Sequence, residues 1–399
     1  MSLLVVDPIS AKLSVLRDAL RRVDSEQLPV SRCIERVLAE RVTAFRDSPA
    51  VDVSAMDGYA VRFDDIGSAP LRVAFVATAG SEPKSLPLGV TSRIFTGGPV
   101  PAGAECVIPR EQCREGEGSV EFLVAKDSVR FGQHIRRRGE NALQGSVVME
   151  AGKIISGPVV STLVSFLASD SVRVHRPVRV AIINTGDELI DLGQPISDWH
   201  IRDSNGPLLE AMLRRHAWIE AHRTKVRDDF SAVRSSISEA LAVSDALLLT
   251  GGVSMGDTDY VPKAIEACGA EIKFHRIPIR PGKPFLGAVG PNGQLILGLP
   301  GNPLSVAVTY RRYGLPLLKF MAGIAAPEAP TQVEIANPDT KTLDLVWFRL
   351  VSLAADGTAA LVSNQGSGDV ASLGVSDGFI EVAPGKITAG RFPYYDWRS

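Results

Sequence analysis

The sequence predicts a multidomain chain: a three-layer α/β domain combined with a β-rich insertion module and a small C-terminal β-barrel or sandwich. Three observations carry this expectation. At 399 residues the chain is too long for a single hydrophobic core. Between residues 178 and 322, apolar strand-like runs alternate with amphipathic helical patterns. On either side, residues 47–145 and the chain after about 326 break into short apolar runs punctuated by Gly and Pro.

Taken in order, Asp7-Pro8 places a capping residue before a helix-compatible proline, and Ile9, Leu13, Leu16 and Leu20 follow at helical spacing. A second short helix is expected around Ile34, Val37 and Leu38. "LRVAFVATAG" and "SVEFLVAKDSV" read as strands of the β-rich module, with a turn at Asp57-Gly58 and a rigid loop at "TGGPVPAGAE". Residues 153–170 read as helical.

In the α/β region, "VRVAIINTG" is a buried strand ending in a turn. The helix in "SNGPLLEAMLRRH" carries Leu208, Leu209, Met212 and Leu213 on one face; that in "FSAVRSSISEALAVS" carries Val233, Ile237, Ala240 and Leu241. "ALLLTGG" is a continuous apolar strand, and "YVPKAIEACG" a short helix capped by Gly269. "EIKFHRIPI" and "QLILGLPGNP" add strands. The last helix, "LSVAVTYRRYGLPLLKFM", is expected to kink or split at Gly314-Leu315-Pro316. Strands alternating with helices imply a mostly parallel sheet covered on both faces. In the final segment, Asp356-Gly357 marks a hairpin tip.

Composition excludes several classes. A net charge of −2 gives no general attraction to nucleic acid or anionic membrane. The basic run Arg136-Arg137-Arg138 reads as a solvated hairpin or loop. Four cysteines without a C-x-x-C pair point to a reducing compartment. "MSLLVVDPIS" lacks a signal-peptide pattern, and no stretch approaches the roughly 18 apolar residues of a spanning helix. A cytoplasmic protein without membrane or nucleic-acid partners is expected. There is no H-E-x-x-H, G-x-S-x-G or G-x-G-x-x-G, and the six His are scattered.

Four polar clusters fall where strands give way to loops: "TGDE" (185–188), "RDD" (227–229), "TGGVSMGDTD" (250–259) and "LPGNP" (299–303). Open α/β sheets bind ligands at the carboxyl ends of their strands. This placement gathers Asp187, Glu188, Asp228, Asp257 and Asp259 around one cavity. Gly251, Gly252 and Gly256 let backbone N–H groups approach an anion, while clustered carboxylates are costly unless paired or metal-bound. A Mg²⁺ shared between carboxylates and a substrate phosphate reconciles the two. Lys283 in "RPGKP" is either an anion-neutralising charge or a solvated turn lysine. Asn302 either faces a ligand or caps the next helix. Asp57 is a turn former or a site residue, and Thr96 precedes a rigid glycine-proline loop.

The motifs "SAMDGYAVR", "TGGPVPAGAE", "RRRGENALQG", "TGDELI", "DSN", "RDD", "TGGVSMGDTDY", "PGKP" and "GLPGNP" follow the order and spacing of a known family. In them the chain resembles the molybdopterin molybdenumtransferases (the MoeA family, related to the E domain of gephyrin) over nearly its whole length. The resemblance implies insertion of molybdenum from molybdate into adenylylated molybdopterin, with Mg²⁺-dependent release of AMP. It implies four domains: an elongated linker domain (27–46 and 140–177), a β-rich module (47–139), an α/β molybdopterin-binding domain (1–26 and 178–326) and a C-terminal β-barrel domain (327–399). It also implies a homodimer whose cleft is shared between subunits. Implied catalytic positions are Asp57, Thr96, Glu188, Asp228, Asp259 and Lys283, with Glu188, Asp228 and Asp259 as Mg²⁺ ligands. Thr185, Gly186, Gly251, Gly252, Ser254, Gly256, Arg280, Pro300, Gly301, Asn302, Pro303 and Ser367 would bind the pterin substrate. One departure stands out: Asn141 occupies the place of the usual family acid in "GED".

Two alternatives keep the same site. A molybdopterin adenylyltransferase, also a possible partner, shares a similar α/β domain, but usually has GGTG where this chain has "GGVS". A non-enzymatic pterin carrier or scaffold is the other.

Overall fold

The structure, a computed structural model, describes residues 8–67, 69–253, 260–325 and 329–398. The capping role expected of Asp7 therefore lies outside the described residues. The chain divides into two compact units: Met1–Glu40 with Ala151–Pro158 and Ser171–Ser399, and Arg41–Glu150 with Val159–Asp170.

The first unit is built on a six-stranded sheet. Its elements are α1 (Pro8–Asp18), β1 (Val178–Thr185), α2 (Asn205–Leu213), β2 (Ile219–Val226), α3 (Phe230–Val243), β3 (Ala246–Thr250), α4 (Val261–Ala267), β4 (Glu271–His275), β5 (Leu286–Val289), β6 (Leu295–Leu299), α5 (Pro303–Thr309) and α6 (Leu315–Met321). The strand order is β2-β1-β3-β6-β5-β4; five strands run the same way and β5 alone is reversed, antiparallel to both of its neighbours. The sheet is thus mostly parallel, as expected, and mixed by the reversal of β5.

Alternation along the strands makes the three layers. Val178, Val180, Ile182, Leu248 and Leu297 face one core with α1, α2, α5 and α6. Ala181, Ile183, Leu247, Leu249 and Ile296 face the other with α3 and α4, where Val233, Ile237, Ala240 and Leu241 are buried as the spacing predicts. The split near Gly314 is a π-helical stretch, Tyr310–Gly314, joining α5 to α6.

The expected helix around Ile34–Leu38 is not formed. Glu35 sits at φ 59, a left-handed conformation that breaks a helix, and Val37–Leu38 instead pair with His175 and Val174. Both residues are fully buried, so burial on a small sheet outweighs the helical spacing. Within 153–170, the helix covers only Gly157–Phe166, and Ser171–His175 is already a strand.

After α6 come β7 (Thr331–Glu334), β8 (Val346–Leu353), β9 (Ala359–Leu361), α7 (Val370–Gly374), β10 (Gly378–Val382) and β11 (Arg391–Asp396). The two-residue strand Ile279–Arg280 from the "RPGKP" turn opens this sheet, running parallel to β8, and β10, β11 and β7 follow. The continuous ladder of a closed barrel is not established: the ends are joined by one isolated bridge, Ile335 to Ala359. The Asp356-Gly357 tip is as expected, with Gly357 at φ 83 and the Asp356 Oδ1 accepting from the Thr358 N–H at 2.9 Å.

The second unit is β-rich, with a six-stranded sheet in which Gly58–Val61 lies between Cys106–Pro109 and Val90–Ile94. Gly58 serves close strand approach rather than turn geometry. A Cβ there would stand 2.0 Å from the Ile108 carbonyl oxygen. Among the arginines of the basic run, Arg136 meets Glu140 at 3.3 Å and Arg137 meets Asp52 at 2.7 Å, while Arg138 pairs with Asp47. Arg136 ends a short strand paired with Val53, and the run continues from it into a loop. Among the described residues, no helix is long and apolar enough to cross a membrane.

Candidate active site

Because β1, β2, β3 and β6 run parallel, their carboxyl ends share one edge, and the polar clusters leave from it. Thr185, the last residue of β1, donates its hydroxyl to Asp228 Oδ1 at 2.9 Å. The Asp228 N–H in turn donates to Asp187 Oδ1 at 3.3 Å. "TGDE" and "RDD" are therefore one polar unit.

The glycine turn lies against it. Gly251 adopts φ 89, and a Cβ there would fall 2.2 Å from the Thr185 carbonyl oxygen. A Cβ on Gly252, at φ 58, would stand 3.2 Å from Val261 Cγ2 and 3.6 Å from Asp228 Oδ1. Only glycine keeps this space beside the carboxylate free. Gly186 is buried, and a Cβ there would meet the Glu188 carboxylate at 2.7 Å, so the Glu188 side chain folds back over this turn.

A cavity of about 740 Å³ opens at this edge, lined by Glu188, Gly251, Gly252, Arg280, Lys283, Pro300, Gly301, Asn302 and Ser367. An adjoining one of about 430 Å³ shares Glu188, Gly251, Gly301 and Asn302, and adds Thr185, Asn205 and Pro303. The "RPGKP" turn is held by the Ile277 N–H donating to the Lys283 carbonyl at 3.1 Å and the Phe285 N–H to the Gly282 carbonyl at 3.0 Å. No carboxylate among the described residues pairs with Arg280 or Lys283, and both are exposed at the cavity. Asn302 caps no helix through its side chain. It stands at the N-cap position of α5, but its Nδ2 donates to Ser367 Oγ at 2.7 Å.

Asp57 and Thr96 belong to the second unit and are paired there. The Thr96 N–H and Oγ1 donate to Asp57 Oδ1 at 2.7 and 2.8 Å. These bonds, with Arg93 and Arg110 nearby, hold the carboxyl below its ordinary range, so it is ionised at neutral pH. Ser254, Gly256, Asp257 and Asp259 lie outside the described residues. Among the described residues, no group of three His, Cys, Asp or Glu side chains is placed to hold a metal ion.

Several polar residues of the site carried no individual assignment from the sequence. Asn205 Nδ2 donates to the Gly301 carbonyl at 2.6 Å, fixing the "LPGNP" turn from α2. Asn184, fully buried, donates to Thr250 Oγ1 at 2.7 Å between β1 and β3. Asp203 accepts from the Gly206 N–H at 3.0 Å and from Arg223 at 2.7 Å. A polar residue inside an apolar strand run, such as Asn184 in "AIINT", was the available signal. Asn364 and Trp347, which also line the larger cavity, had none.

Comparison with known proteins supplies the family. Residues 8–166 match the MoeA N-terminal region (domain I and II), and residues 181–319 match a probable molybdopterin binding domain. A molybdopterin molybdenumtransferase from a Nostoc species is 34% identical, covering 79% of this chain and 74% of the relative. One from Synechococcus elongatus is 33% identical, covering 87% and 88%. The solved structure of the molybdopterin biosynthesis MoeA protein from Pyrococcus horikoshii superposes with a TM-score of 0.82 at 26% identity, over 99% of this chain and 100% of that one. With relatives above 30% identity spanned over most of their length, this chain belongs to the molybdopterin molybdenumtransferases, a family of transferases.

Proposed function

We propose that this chain inserts molybdenum from molybdate into adenylylated molybdopterin and releases AMP. The observation that supports this most directly is the joining, at one sheet edge, of a carboxylate-hydroxyl pair, a glycine turn and a cationic turn that meets no carboxylate among the described residues. An anionic substrate needs the last two, and a divalent cation needs the first.

Mg²⁺ fits the residues present. Asp228 and Thr185 offer hard oxygen donors, and the missing side chain of Gly252 leaves room beside Asp228 Oδ1. Asp228 would hold the ion together with Glu188 and Asp259, although Asp259 lies outside the described residues. When bound, the ion would polarise the phosphoanhydride of the substrate.

The chain's own groups divide the remaining work. Backbone N–H groups at Gly251 and Gly252 would meet charge developing on the departing phosphate. Arg280 and Lys283 would attract molybdate, while Asn302 and Ser367 hold that rim in place. Asp57, ionised and tied to Thr96, accepts hydrogen bonds rather than donating them. It therefore suits the N–H or S–H groups of the pterin dithiolene better than the oxyanion. A homodimer would bring Asp57 and Thr96 of one copy to the cavity of the other.

The test is direct. Purified protein given adenylylated molybdopterin, molybdate and Mg²⁺ should release AMP, and no AMP above the molybdate-free control would overturn the reading. ATP consumption with molybdopterin alone would instead indicate an adenylyltransferase.

A further inference from the structure

The glycine turn at the site ends in Val253, whose carbonyl is held by a side chain from the far edge of the sheet. His275, the last residue of β4, places Nε2 2.8 Å from the Val253 carbonyl oxygen. A carbonyl only accepts, so Nε2 carries the hydrogen, which assigns the tautomer of the neutral ring.

A regular strand could not make this contact. Ile272 packs in the core shared with α3, α4 and Val253. Side chains alternate, so three residues later His275 would point to the opposite face. Between Ile272 and Phe274 the pairing slips: Ile272 faces Ala288, but Phe274 faces the next residue, Gly287. The extra residue, Lys273, makes a β-bulge at the sheet edge. Phe274 consequently turns into the other core, with Phe285 and Leu16, and His275 returns to the Val253 side. Val253 itself is buried, and a Cβ on Gly298 would stand 2.9 Å from its side chain, so its position is packed as well as bonded.

We propose that His275 is a positioning residue for the glycine turn: the bulge at Lys273 aims its imidazole N–H at the Val253 carbonyl, fixing the end of the Gly251-Gly252 turn beside Asp228. Its role as an aid to the reaction rests on the function proposed above; its hold on the loop does not. A neutral side-chain amide can replace the donor, whereas an aromatic hydrocarbon cannot.

The experiment compares His275→Gln with His275→Phe in the full chain, after thermal melts have shown both folded. Amide hydrogen exchange is followed over peptides spanning 246–253. The phenylalanine variant should exchange there about fivefold faster, as loss of one part-buried hydrogen bond implies, with the glutamine variant near wild type. AMP release should show kcat lowered about tenfold in His275→Phe and restored in His275→Gln, with KM for molybdate little changed. Equal exchange in all three proteins would overturn the proposal, whatever the activity. Altered exchange with no AMP release from wild type would leave the positioning role standing and remove the assigned reaction. If His275→Phe does not fold, His275→Leu takes its place with the same expectation.

Discussion

Asn302 and Ser367 join the α/β sheet to the C-terminal sheet across the mouth of the larger cavity, through an Nδ2 to Oγ hydrogen bond of 2.7 Å. The Leu304 N–H donates to the Ser367 carbonyl at 3.2 Å, so the contact has a backbone counterpart. From the other side, Asn205 grips the Gly301 carbonyl. The "LPGNP" turn is thus clamped from two directions, and the prolines on either side limit its freedom further.

Ser367→Ala removes the side-chain acceptor and leaves the backbone bond. A neutral hydrogen bond contributes about 1 kcal/mol, roughly a fivefold change in an equilibrium constant. The expected outcome is a rise of about that size in KM for molybdate or pterin substrate, with melting temperature nearly unchanged. Steady-state AMP release checks it. An unchanged KM would show that the clamp does not shape the substrate site.

Asp228→Asn keeps an oxygen for the Thr185 hydroxyl, so the fold should survive. The charge is lost, and with it the strongest described donor for a divalent ion. AMP release should fall by about a hundredfold or more and respond weakly to added Mg²⁺. Thr185→Val should be milder, since it removes one hydrogen bond but leaves the carboxylate. Activity measured against Mg²⁺ concentration separates the two expectations, and a full response in Asp228→Asn would exclude a metal role for this residue.

His216 gives the first unit a pH dependence unconnected with catalysis. Burial against Trp218, with Lys319, Arg215 and Arg311 nearby, lowers its pKa to about 4 from an ordinary value near 6.5. The folded protein therefore resists a proton that the unfolded chain accepts. Stability should fall as pH drops from about 6.5 to 4, by no more than about 1.4 kcal/mol per pH unit for one group. Replacing it with Gln or Phe should flatten this part of the profile. Urea midpoints at pH 7 and pH 5 measure it directly.

The sequence made the α/β unit legible because its strands and helices obey a single period. Leu247 and Leu248 belong to opposite cores, and the face of α3 follows its spacing residue by residue. The polar clusters at one edge followed from parallel strands alone. What stayed hidden depends on contacts between distant segments. Val37 and Leu38 look helical until His175 and Val174 pair with them. Gly58 reads as a turn former, whereas its constraint comes from the Ile108 carbonyl on a neighbouring strand. The bulge at Lys273 leaves no trace in "EIKFH", so no periodicity argument would place His275 near the glycine loop. Asp57 and Thr96 are separated by 39 positions, and only the fold of the second unit makes them a pair.

Gly58→Ala tests the strand-approach account. Its Cβ would overlap a backbone oxygen that cannot swing aside, in the middle of a sheet. Destabilisation of about 3 kcal/mol or more is expected, in the range reserved for overpacked cores. By contrast, Gly67→Ala, with nothing within 4 Å of the new methyl, should cost only the strain of its φ of 85. Denaturant midpoints of the two variants should differ clearly. Equal losses would show that the strand spacing around Gly58 relaxes.

Asn141 stands where the family resemblance implies an acid, and its contacts say what an amide does there. Its Oδ1 accepts from Arg136 at 2.6 Å and its Nδ2 donates to Ser48 Oγ at 3.3 Å. The amide thus preserves the oxygen that an aspartate would offer the arginine and adds a donor that an aspartate lacks. Arg136 also has Glu140 as a counterion, at 3.3 Å. Asn141→Asp should then gain a charge-assisted bond and lose the bond to Ser48, on an exposed loop where ion pairs contribute about 0–1 kcal/mol. Net stability should move by less than about 1 kcal/mol. If the position serves only to hold this loop, AMP release should be unchanged within about twofold, whereas Asn141→Leu, which strips both bonds, should reduce it. A large gain in turnover from Asn141→Asp would instead mean that the negative charge itself takes part in the reaction, and that this chain works without it.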